Sequence, residues 1–395
     1  MGNRTFRAGV MVASAAILMA AWVPSISSGA TAPAKAYTWG INAELSGPVS
    51  YYGTQIQTGL KAFVKAANAN VGKKGHKTNL VALDNQASGS QAATNQTQLI
   101  TSNHAIGTFG NVLSSDCQAA TGITARYKVP MACLSVNTPN PWVYDLGDNN
   151  GTSTSADLAA AAKVSGLSNP KIAVLVINTL TDITMASDLS IAAAAAGDSV
   201  VSNQQLSLSA TDFTVPVANI VAAKPDVIVM SALGTQLVTI QQQLASSGVT
   251  VPILFVDGST NMPQVVSLPS TVTNVYPMFG ATPLIQPNST DKYVKAYIKA
   301  LKGVGVVPSL VSLNGSVANV YLSAYAFSLA QAKCGSQCTG PKMQSLLDQT
   351  KFSLGALVSN YSFTPTNHDP FSKWYVYHLT AGQHFTLVGT YVARQ

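Results

Sequence analysis

Residues 44–59 read Glu-Leu-Ser-Gly-Pro-Val-Ser-Tyr-Tyr-Gly-Thr-Gln-Ile-Gln-Thr-Gly. They follow a short apolar run at 38–43 that predicts a buried strand, and the residues after Pro48 predict a helix. The stretch therefore places small polar residues at the carboxyl end of a strand. In open parallel sheets that edge is where ligands bind.

The first residues have the pattern of a secretion signal. Arg4 and Arg7 precede an apolar segment at 8–23 that is too short to predict a membrane span. We expect cleavage after Ala36, directly before the first predicted strand, and Ala30 is the alternative position. No Cys ends the apolar segment, so no lipid anchor is expected. We expect a secreted protein of the periplasm or cell envelope, soluble after cleavage.

The size and charge of the chain limit its class. About 360 of the 395 residues follow Ala36, which is long for one core and predicts two domains. Loss of Arg4, Arg7 and Lys35 lowers the formal net charge from +7 to +4. Charged residues make up only 9% of the chain and are scattered, which argues against nucleic acid as a partner.

Four cysteines remain after the signal. An even number of Cys in an oxidising compartment favours disulfides. We pair Cys334 with Cys338, and Cys117 with Cys133, with free thiols as the alternative for each pair. The five His residues show no metal-ligand pattern, so no metal site and no cofactor are expected.

The order of the predicted elements indicates an α/β protein, because short apolar runs alternate with helical stretches. Predicted strands lie at 38–43, 79–83, 105–109, 130–134, 171–177, 200–204, 227–231 and 253–256. Predicted helices lie at 53–68, 91–101, 117–126, 155–165, 183–195, 215–222 and 235–246. A hairpin is predicted at 373–380 and 384–392. The pattern predicts doubly wound parallel sheets covered on both faces.

Polar or Pro-rich joins at 144–154, 278–287 and 363–370 predict that the chain crosses three times between two lobes. Lobe 1 would contain residues 37–146 and 282–362. Lobe 2 would contain residues 147–281 and 366–395, with a ligand cleft between the lobes.

Several motifs, in order and spacing, resemble the branched-chain amino-acid (Leu/Ile/Val) type of periplasmic binding protein. The motifs are Leu45-Ser46-Gly47-Pro48, Asp84-Asn85-Gln86, residues 110–118, Val129-Pro130, residues 170–174, Lys224-Pro225-Asp226-Val227 and Asp257-Gly258. The resemblance covers nearly all of the chain after the signal. It implies the type I periplasmic binding protein fold, two doubly wound lobes joined by three crossovers. It also implies a monomer that delivers a small-molecule solute to the membrane permease of an ABC importer.

The same resemblance implies a set of binding residues in the first lobe. Ser114 would present its backbone N–H and hydroxyl to a ligand carboxylate, with Ser115 beside it at a helix amino end. Ser135 and Asn137 stand in the neighbouring carboxylate-holding loop, and Tyr52 would line the side-chain pocket. An ordinary helix cap is the alternative at 114–116, and a ring packed in the core or on the hinge surface is the alternative at 52.

In lobe 2, the resemblance implies that Asp257 pairs with a ligand ammonium, although Asp257 precedes Gly258 and a simple turn acid is the alternative. Thr181 and Asp182 stand where many family members have Tyr-Gly, and an aromatic expected near Leu233 is missing. The scaffold is therefore better defined by the sequence than the ligand.

No catalytic motif is found, so we expect no enzyme. Neither Arg126 nor Arg394 is predicted in the cleft, so neutral donors would hold any carboxylate. The ligand predicted first is an apolar or uncharged amino acid. An aromatic or aliphatic carboxylate or an amide is the alternative ligand, and a ligand-sensing receptor module is the alternative role.

Overall fold

The computed structural model describes residues 35–71, 75–136, 140–147, 153–232, 235–256, 262–280, 282–371, 373–380 and 384–392. Over these residues the chain forms two sheets of five and seven strands, one two-stranded sheet, and helices that cover the larger sheets. The predicted α/β class is confirmed.

The first sheet is entirely parallel. Its strands are β1 (Tyr37–Ala43), β2 (Thr78–Asp84), β3 (Ala105–Gly110), β4 (Met131–Cys133) and β5 (Val143–Asp145). They lie side by side in the order β2-β1-β3-β4-β5. The chain goes from β1 to one side and returns to place β3 on the other. The strand order therefore reverses between β1 and β3, which makes that crevice the first switch point.

The second sheet has seven strands. They are β6 (Lys171–Ile177), β7 (Ser199–Leu206), β8 (Val227–Ser231), β9 (Ile253–Phe255), β10 (Val275–Gly280), β13 (Lys373–Thr380) and β14 (His384–Val392). Their order is β14-β13-β10-β9-β8-β6-β7. Strand β13 pairs antiparallel with both β10 and β14, and all other pairs of this sheet are parallel. A second switch point lies between β6 and β8. The strands β11 (Lys351–Leu354) and β12 (Val358–Ser362) form a separate antiparallel pair.

Helices connect and cover the strands. They are α1 (Ser50–Asn70), α2 (Gly89–Thr101), α3 (Ser114–Tyr127), α4 (Thr154–Ser165), α5 (Leu180–Ala196), α6 (Thr214–Ala223), α7 (Thr235–Ser246), α8 (Met262–Ser267), α9 (Lys292–Lys302), α10 (Leu310–Leu313), α11 (Ser316–Cys334) and α12 (Gly340–Leu347). No helix of the described ranges has both the length and the apolar character needed to span a membrane.

The central strands of the second sheet are buried on both faces, as expected for parallel strands. Side chains of β6 alternate between two cores: Ala173 and Leu175 pack in one with α6 and α7, whereas Val174 and Val176 pack in the other with α4 and α5. The period of two along the strand sends neighbours to opposite faces. The continuous apolar run of β6 is explained by this two-sided burial.

The core of the first sheet is assembled from distant parts of the chain. Trp39 of β1 is fully buried beside Phe109 of β3 and Phe327 of α11, with ring centroids 5.3 and 6.2 Å away. Residues of α9, α12 and β12 lie in the same core. The helices and strands between β10 and β13 therefore complete the core of the first sheet, while Leu284 of the same segment packs with Phe279 and Tyr377 of the second sheet.

The chain passes between the two large sheets after β5, after β10 and after β12, as predicted. The first and third passages are tied together. The ring of His368 stacks on Tyr144 at 4.1 Å, and its Nδ1 lies 2.9 Å from the carbonyl of Val143. Asp348 accepts from the Tyr144 hydroxyl at 2.6 Å and lies 3.0 Å from Nε2 of His368. The lobe bounds given above stay a prediction.

Some predicted bounds were wrong. The polar pattern predicts a first join from 144, but β5 (Val143–Asp145) occupies its start, because a three-residue strand leaves no visible apolar run. The second was set to begin at 278, but β10 (Val275–Gly280) continues through it. Helix α3 begins at Ser114 and not at 117, since the polar first turn hides a helix start from an apolar pattern.

Both predicted disulfides are confirmed. Cys117 of α3 is bonded to Cys133 of β4, and Cys334 at the end of α11 is bonded to Cys338. The predicted hairpin strands 373–380 and 384–392 are also confirmed.

Candidate functional site

The first switch point is bridged by Glu44, which directly follows β1. Its carboxyl oxygens accept the backbone N–H of Val112 at 2.8 Å and of Leu113 at 3.0 Å. Glu44 is fully buried and is the only glutamate of the chain. The residue therefore fixes the loop after β1 to the loop that leads from β3 into α3.

A second carboxylate fixes the other side of the Leu-Ser-Gly-Pro loop. Oδ1 of Asp84, at the end of β2, accepts the backbone N–H of Leu45 and of Gln86, both at 2.9 Å. Burial acts to raise the pKa of Asp84, but hydrogen bonds from Ser46, Gln86 and Leu45 outweigh it and hold the pKa below its usual value. The loop is thus held between two acids from neighbouring strands.

Two glycines allow the close approach of the backbones at this edge. A Cβ on Gly53 of α1 would stand 2.2 Å from the carbonyl oxygen of Glu44. A Cβ on Gly110, which has φ +135°, would stand 2.0 Å from the carbonyl oxygen of Asn42. Glycine at both positions lets α1 and β3 lie directly against the end of β1.

The amino end of α3 points backbone donors at the switch point. Ser114 and Ser115 are its first two residues, so their N–H groups have no acceptor within the helix. No other backbone acceptor for either group lies in the described part of the chain. Ser114 is buried and Ser115 is exposed, with its hydroxyl 3.1 Å from Oδ1 of Asp116. Such an end can receive an anion.

Beneath these serines lies a pair of buried acids, Glu44 and Asp116. Burial, together with the neighbouring Asp116 carboxyl, raises the pKa of Glu44 to about 8, although the hydrogen bonds from Leu113 and Val112 act to lower it. Burial also raises the pKa of Asp116, partly offset by Glu44 and Ser115. Two negative charges on this buried pair are therefore disfavoured, and the two carboxyl groups titrate as a unit.

The second switch point has an acid in the corresponding place. Asp182, in the first turn of α5, accepts from the hydroxyl of Ser231 at the end of β8, at 2.6 Å. Thr179 caps the helix by accepting the N–H of Asp182 at 3.2 Å, and its hydroxyl donates back to Oδ2. Helix α3 contacts helix α5, so the two helices that begin at the switch points meet.

The other predicted binding residues have the following positions. Tyr52 is only 8% exposed, lies in the core of the first sheet, and its ring meets that of Tyr51 edge-to-face at 5.3 Å. Ser135 follows β4 and is half-buried at the same sheet edge as Ser114. Asn137 and Asp257 lie outside the described residues.

Sequence reasoning missed the role of Glu44. It opens the stretch that was singled out, yet its partners lie 68 and 69 residues further along the chain. The lone glutamate of an acid-poor chain, placed directly after a strand, was the available signal. For Asp182 the sequence shows a departure from the family pattern and no partner.

Comparison with known proteins agrees with this architecture. The family model described as periplasmic binding protein matches residues 36–383. The chain therefore belongs to the periplasmic binding protein family. No curated protein sequence matches the chain.

Solved structures share the fold at low sequence identity. A solute-binding protein of an ABC transporter from Rhodopseudomonas palustris, in complex with 4-hydroxybenzoate, is 17% identical with a TM-score of 0.78 and covers 91% of this chain and 98% of its own. A branched-chain amino acid transporter substrate-binding protein from Streptococcus pneumoniae, in complex with isoleucine, is 18% identical with a TM-score of 0.72. The match covers 91% of this chain and 100% of the Streptococcus pneumoniae chain. A substrate-binding protein from Aeropyrum pernix is 16% identical with a TM-score of 0.80. The match covers 92% of this chain and 97% of the Aeropyrum pernix chain.

Proposed function

We propose that the protein captures a small solute carrying one carboxylate and delivers it to the permease of an ABC importer. The observation that supports this most is the pair of backbone N–H groups of Ser114 and Ser115 at the first switch point, for which the described residues provide no backbone acceptor. The two lobes would close over the solute by a hinge, and the closed form would be recognised at the membrane.

The charges at the site favour a single carboxylate over a dianion. Arg126 stands twelve positions along α3 from Ser114, about 18 Å away at 1.5 Å per residue, so no guanidinium of this helix reaches the amino end. The acid pair of Glu44 and Asp116 would repel a second negative charge. Ser114, Ser115, Ser135 and Asn137 would therefore hold one carboxylate through neutral donors.

Our first choice of ligand is an apolar or uncharged amino acid. Asp257 would accept from its ammonium group, and Tyr52 would cover its side chain. The isoleucine bound by the Streptococcus pneumoniae protein supports this choice.

The second candidate is an aromatic or aliphatic carboxylate, or an amide, without an amine. The buried Asp182 at the second switch point favours it, because a carboxylate there can accept from a ligand hydroxyl. The 4-hydroxybenzoate bound by the Rhodopseudomonas palustris protein has both groups. Asp257 would then accept from a hydroxyl or amide hydrogen.

The role implies a monomeric, extracytoplasmic protein that performs no catalysis and needs no cofactor. A receptor module that passes ligand occupancy to a membrane partner would use the same cleft. Transport and sensing differ in the membrane partner. Measurements of ligand binding alone therefore do not distinguish the two roles.

The test is a ligand screen on the protein starting at Tyr37, refolded to remove bound solute. The melting temperature is measured against amino acids, aromatic acids, short fatty acids and amides, since a ligand that binds only the folded state raises it. Stabilisation by apolar amino acids that is lost in Asp257→Ala supports the first choice. Stabilisation only by acids without an amine supports the second, and no response to any class contradicts solute capture.

Ser114 then offers a matched pair of variants. Ser114→Pro removes the backbone N–H while proline remains acceptable at the first helical position, and Ser114→Ala removes only the hydroxyl. A hydrogen bond to a charged group contributes about 1.5–3 kcal/mol, so Ser114→Pro should weaken binding by about tenfold or more. Equal solute affinity of the proline variant and the parent would mean that the amino end of α3 does not bind the solute.

A further inference from the structure

One face of the first lobe carries lysines in a regular row. Helix α9 has Lys292, Lys295, Lys299 and Lys302, all exposed, while Val294, Tyr297, Ile298 and Leu301 are buried. Positions separated by three, four and three residues fall on one side of a helix with 3.6 residues per turn. The outer side of α9 is therefore a continuous cationic stripe.

Helix α1 extends this stripe. Lys61 and Lys65 are exposed one turn apart, and α1 packs beside α9. Nζ of Lys65 donates to the carbonyl of Gly303 at 2.6 Å, which places it next to the end of the α9 row at Lys302. We call the six residues Lys61, Lys65, Lys292, Lys295, Lys299 and Lys302 the lysine face.

The lysine face is not balanced by acids. Neither α1 nor α9 contains an Asp or Glu, and the one adjacent acid, Asp291 before Lys292, uses its carboxylate to cap α9. Among the described residues, no carboxylate lies within ion-pair distance of any of the six lysines. Six of the 22 basic residues thus share one surface of a chain in which charged residues are only 9%. Such a concentration of one sign attracts an anionic partner.

Apolar groups accompany the lysines. A groove of about 590 Å³ at this surface is lined by Lys61 and Lys65 together with the apolar side chains of Val64, Leu80 and Val304. Val307, three residues along the chain from Val304, is 81% exposed, the largest value among the exposed large apolar residues of the described chain. Ammonium groups beside apolar groups fit a partner that presents both anionic and apolar groups.

We propose that the lysine face docks on an anionic phospholipid bilayer surface. The lysines would lie against lipid phosphates, and Val307 with the apolar groove would face the region below the headgroups. A fully hydrophilic polyanion would satisfy the lysines and leave Val307 without a partner, so the lipid surface is the occupant that uses both features.

The position of the face keeps it separate from the solute site. The groove includes Thr78 and Asn79, the first residues of β2, and so lies at the amino edge of the first sheet. The candidate solute site lies at the opposite, carboxyl edge. Docking would therefore hold the protein at the membrane while the cleft remains open, and the proposal does not depend on the identity of the solute.

The test is sedimentation with vesicles, using the protein that starts at Tyr37 so that the apolar segment at 8–23 contributes nothing. The parent is compared on vesicles of phosphatidylglycerol mixed with phosphatidylcholine and on pure phosphatidylcholine. The variant carries Gln at all four lysines of α9. A control of equal net charge carries Gln at four exposed basic positions outside the lysine face: Lys128, Lys163, Lys171 and Lys224.

We expect binding to the anionic vesicles, little binding to pure phosphatidylcholine, and loss of binding in 1 M salt, where the Debye length is about 3 Å. The partition coefficient of the α9 variant onto anionic vesicles should be lower than that of the parent by about tenfold or more, because each lysine near an anionic surface contributes to the binding free energy. The partition coefficient of the control should change far less. Melting curves establish that each variant is folded. Should the α9 variant fail to fold, Lys61→Gln with Lys65→Gln provides a second reduction.

Several results would overturn the proposal. Absence of binding to anionic vesicles at low salt would mean that an anionic bilayer is not the partner of the lysine face. Equal weakening in the α9 variant and the control means that net charge alone acts. Binding to soluble polyphosphate without binding to vesicles assigns the lysine face to a polyanion instead.

Discussion

The hydroxyl of Ser231 donates to the carboxylate of Asp182 across the second switch point, at 2.6 Å. The bond ties the end of β8 to the first turn of α5. Glu44 makes the equivalent link at the first switch point through backbone donors. In each sheet a buried acid thus forms hydrogen bonds across the switch point. These bonds fix the loops and helix ends that would face a solute.

Removal of the second link should destabilise the protein. Asp182→Ala leaves the buried Ser231 hydroxyl without this acceptor and removes one partner of the Thr179 cap, which should lower the free energy of unfolding by about 1–3 kcal/mol. Asp188→Ala on the same helix is the control and should change it by about 0.5 kcal/mol or less. Urea unfolding followed by tryptophan fluorescence measures both. Equal effects would show that the link contributes nothing particular.

Glu44 should make stability depend on pH in an unusual direction. Its folded-state pKa of about 8 lies above the ordinary 4.5, so the folded state binds more protons than the unfolded state between these values. The contribution is complete below about pH 4.5 and is lost as the pH rises through about 8. The melting temperature of the parent should fall over this window.

Glu44→Gln provides the comparison. Its amide does not titrate, so its melting temperature should change less between pH 5 and pH 8 than that of the parent. Gln also places an N–H against one of the two backbone donors, which should cost about 1–3 kcal/mol at pH 5. Parallel pH profiles of parent and variant would exclude Glu44 as the titrating group.

A glycine pair tests the close approach of α1 to β1. Gly53→Ala would bring a methyl group within 2.2 Å of the Glu44 carbonyl oxygen and should cost about 1–3 kcal/mol. Gly122→Ala in α3 meets nothing within 4 Å and should stabilise by about 0.5–1 kcal/mol. Thermal unfolding distinguishes these opposite signs. A neutral Gly53→Ala would mean that α1 moves away without cost.

The two disulfides should contribute unequally. Cys117 and Cys133 are 16 residues apart, and Cys334 and Cys338 are 4 apart. A longer closed loop restricts the unfolded chain more, so replacing each pair by Ala should cost about 3 kcal/mol and about 2 kcal/mol, respectively. Urea unfolding without reductant gives both values. A larger loss from the short loop would contradict this account.

Much of the fold is predictable because its strands are apolar runs bounded by turn residues. The predicted bounds of β6, β8 and α7 agree with the structure to the residue. The strand β5 was missed, because three residues carry no periodic signal. No elements were assigned between 282 and 362, where helices alternate with short strands and loops and the apolar pattern is less regular.

The candidate site was less predictable than the fold. The serines at the start of α3 follow from a strand–loop–helix pattern and a family resemblance, which are local in sequence. The link from Glu44 to Leu113 depends on strands that become neighbours only after the sheet has formed. Which residues face each other across a switch point depends on the order of the strands in the sheet. The local sequence pattern around Glu44 does not reveal that order.

The return of the chain to the second sheet has a consequence for biosynthesis. Strand β10 pairs with β13, for example Met278 with Val376, and helices between these strands contribute to the core of the first sheet. That core includes Phe371, and a core of the second sheet includes Trp374 of β13, so both are complete only when the ribosome has made nearly the whole polypeptide. For a chain whose first residues predict export, late completion of both cores favours the unfolded state, which is the state that a translocation channel accepts.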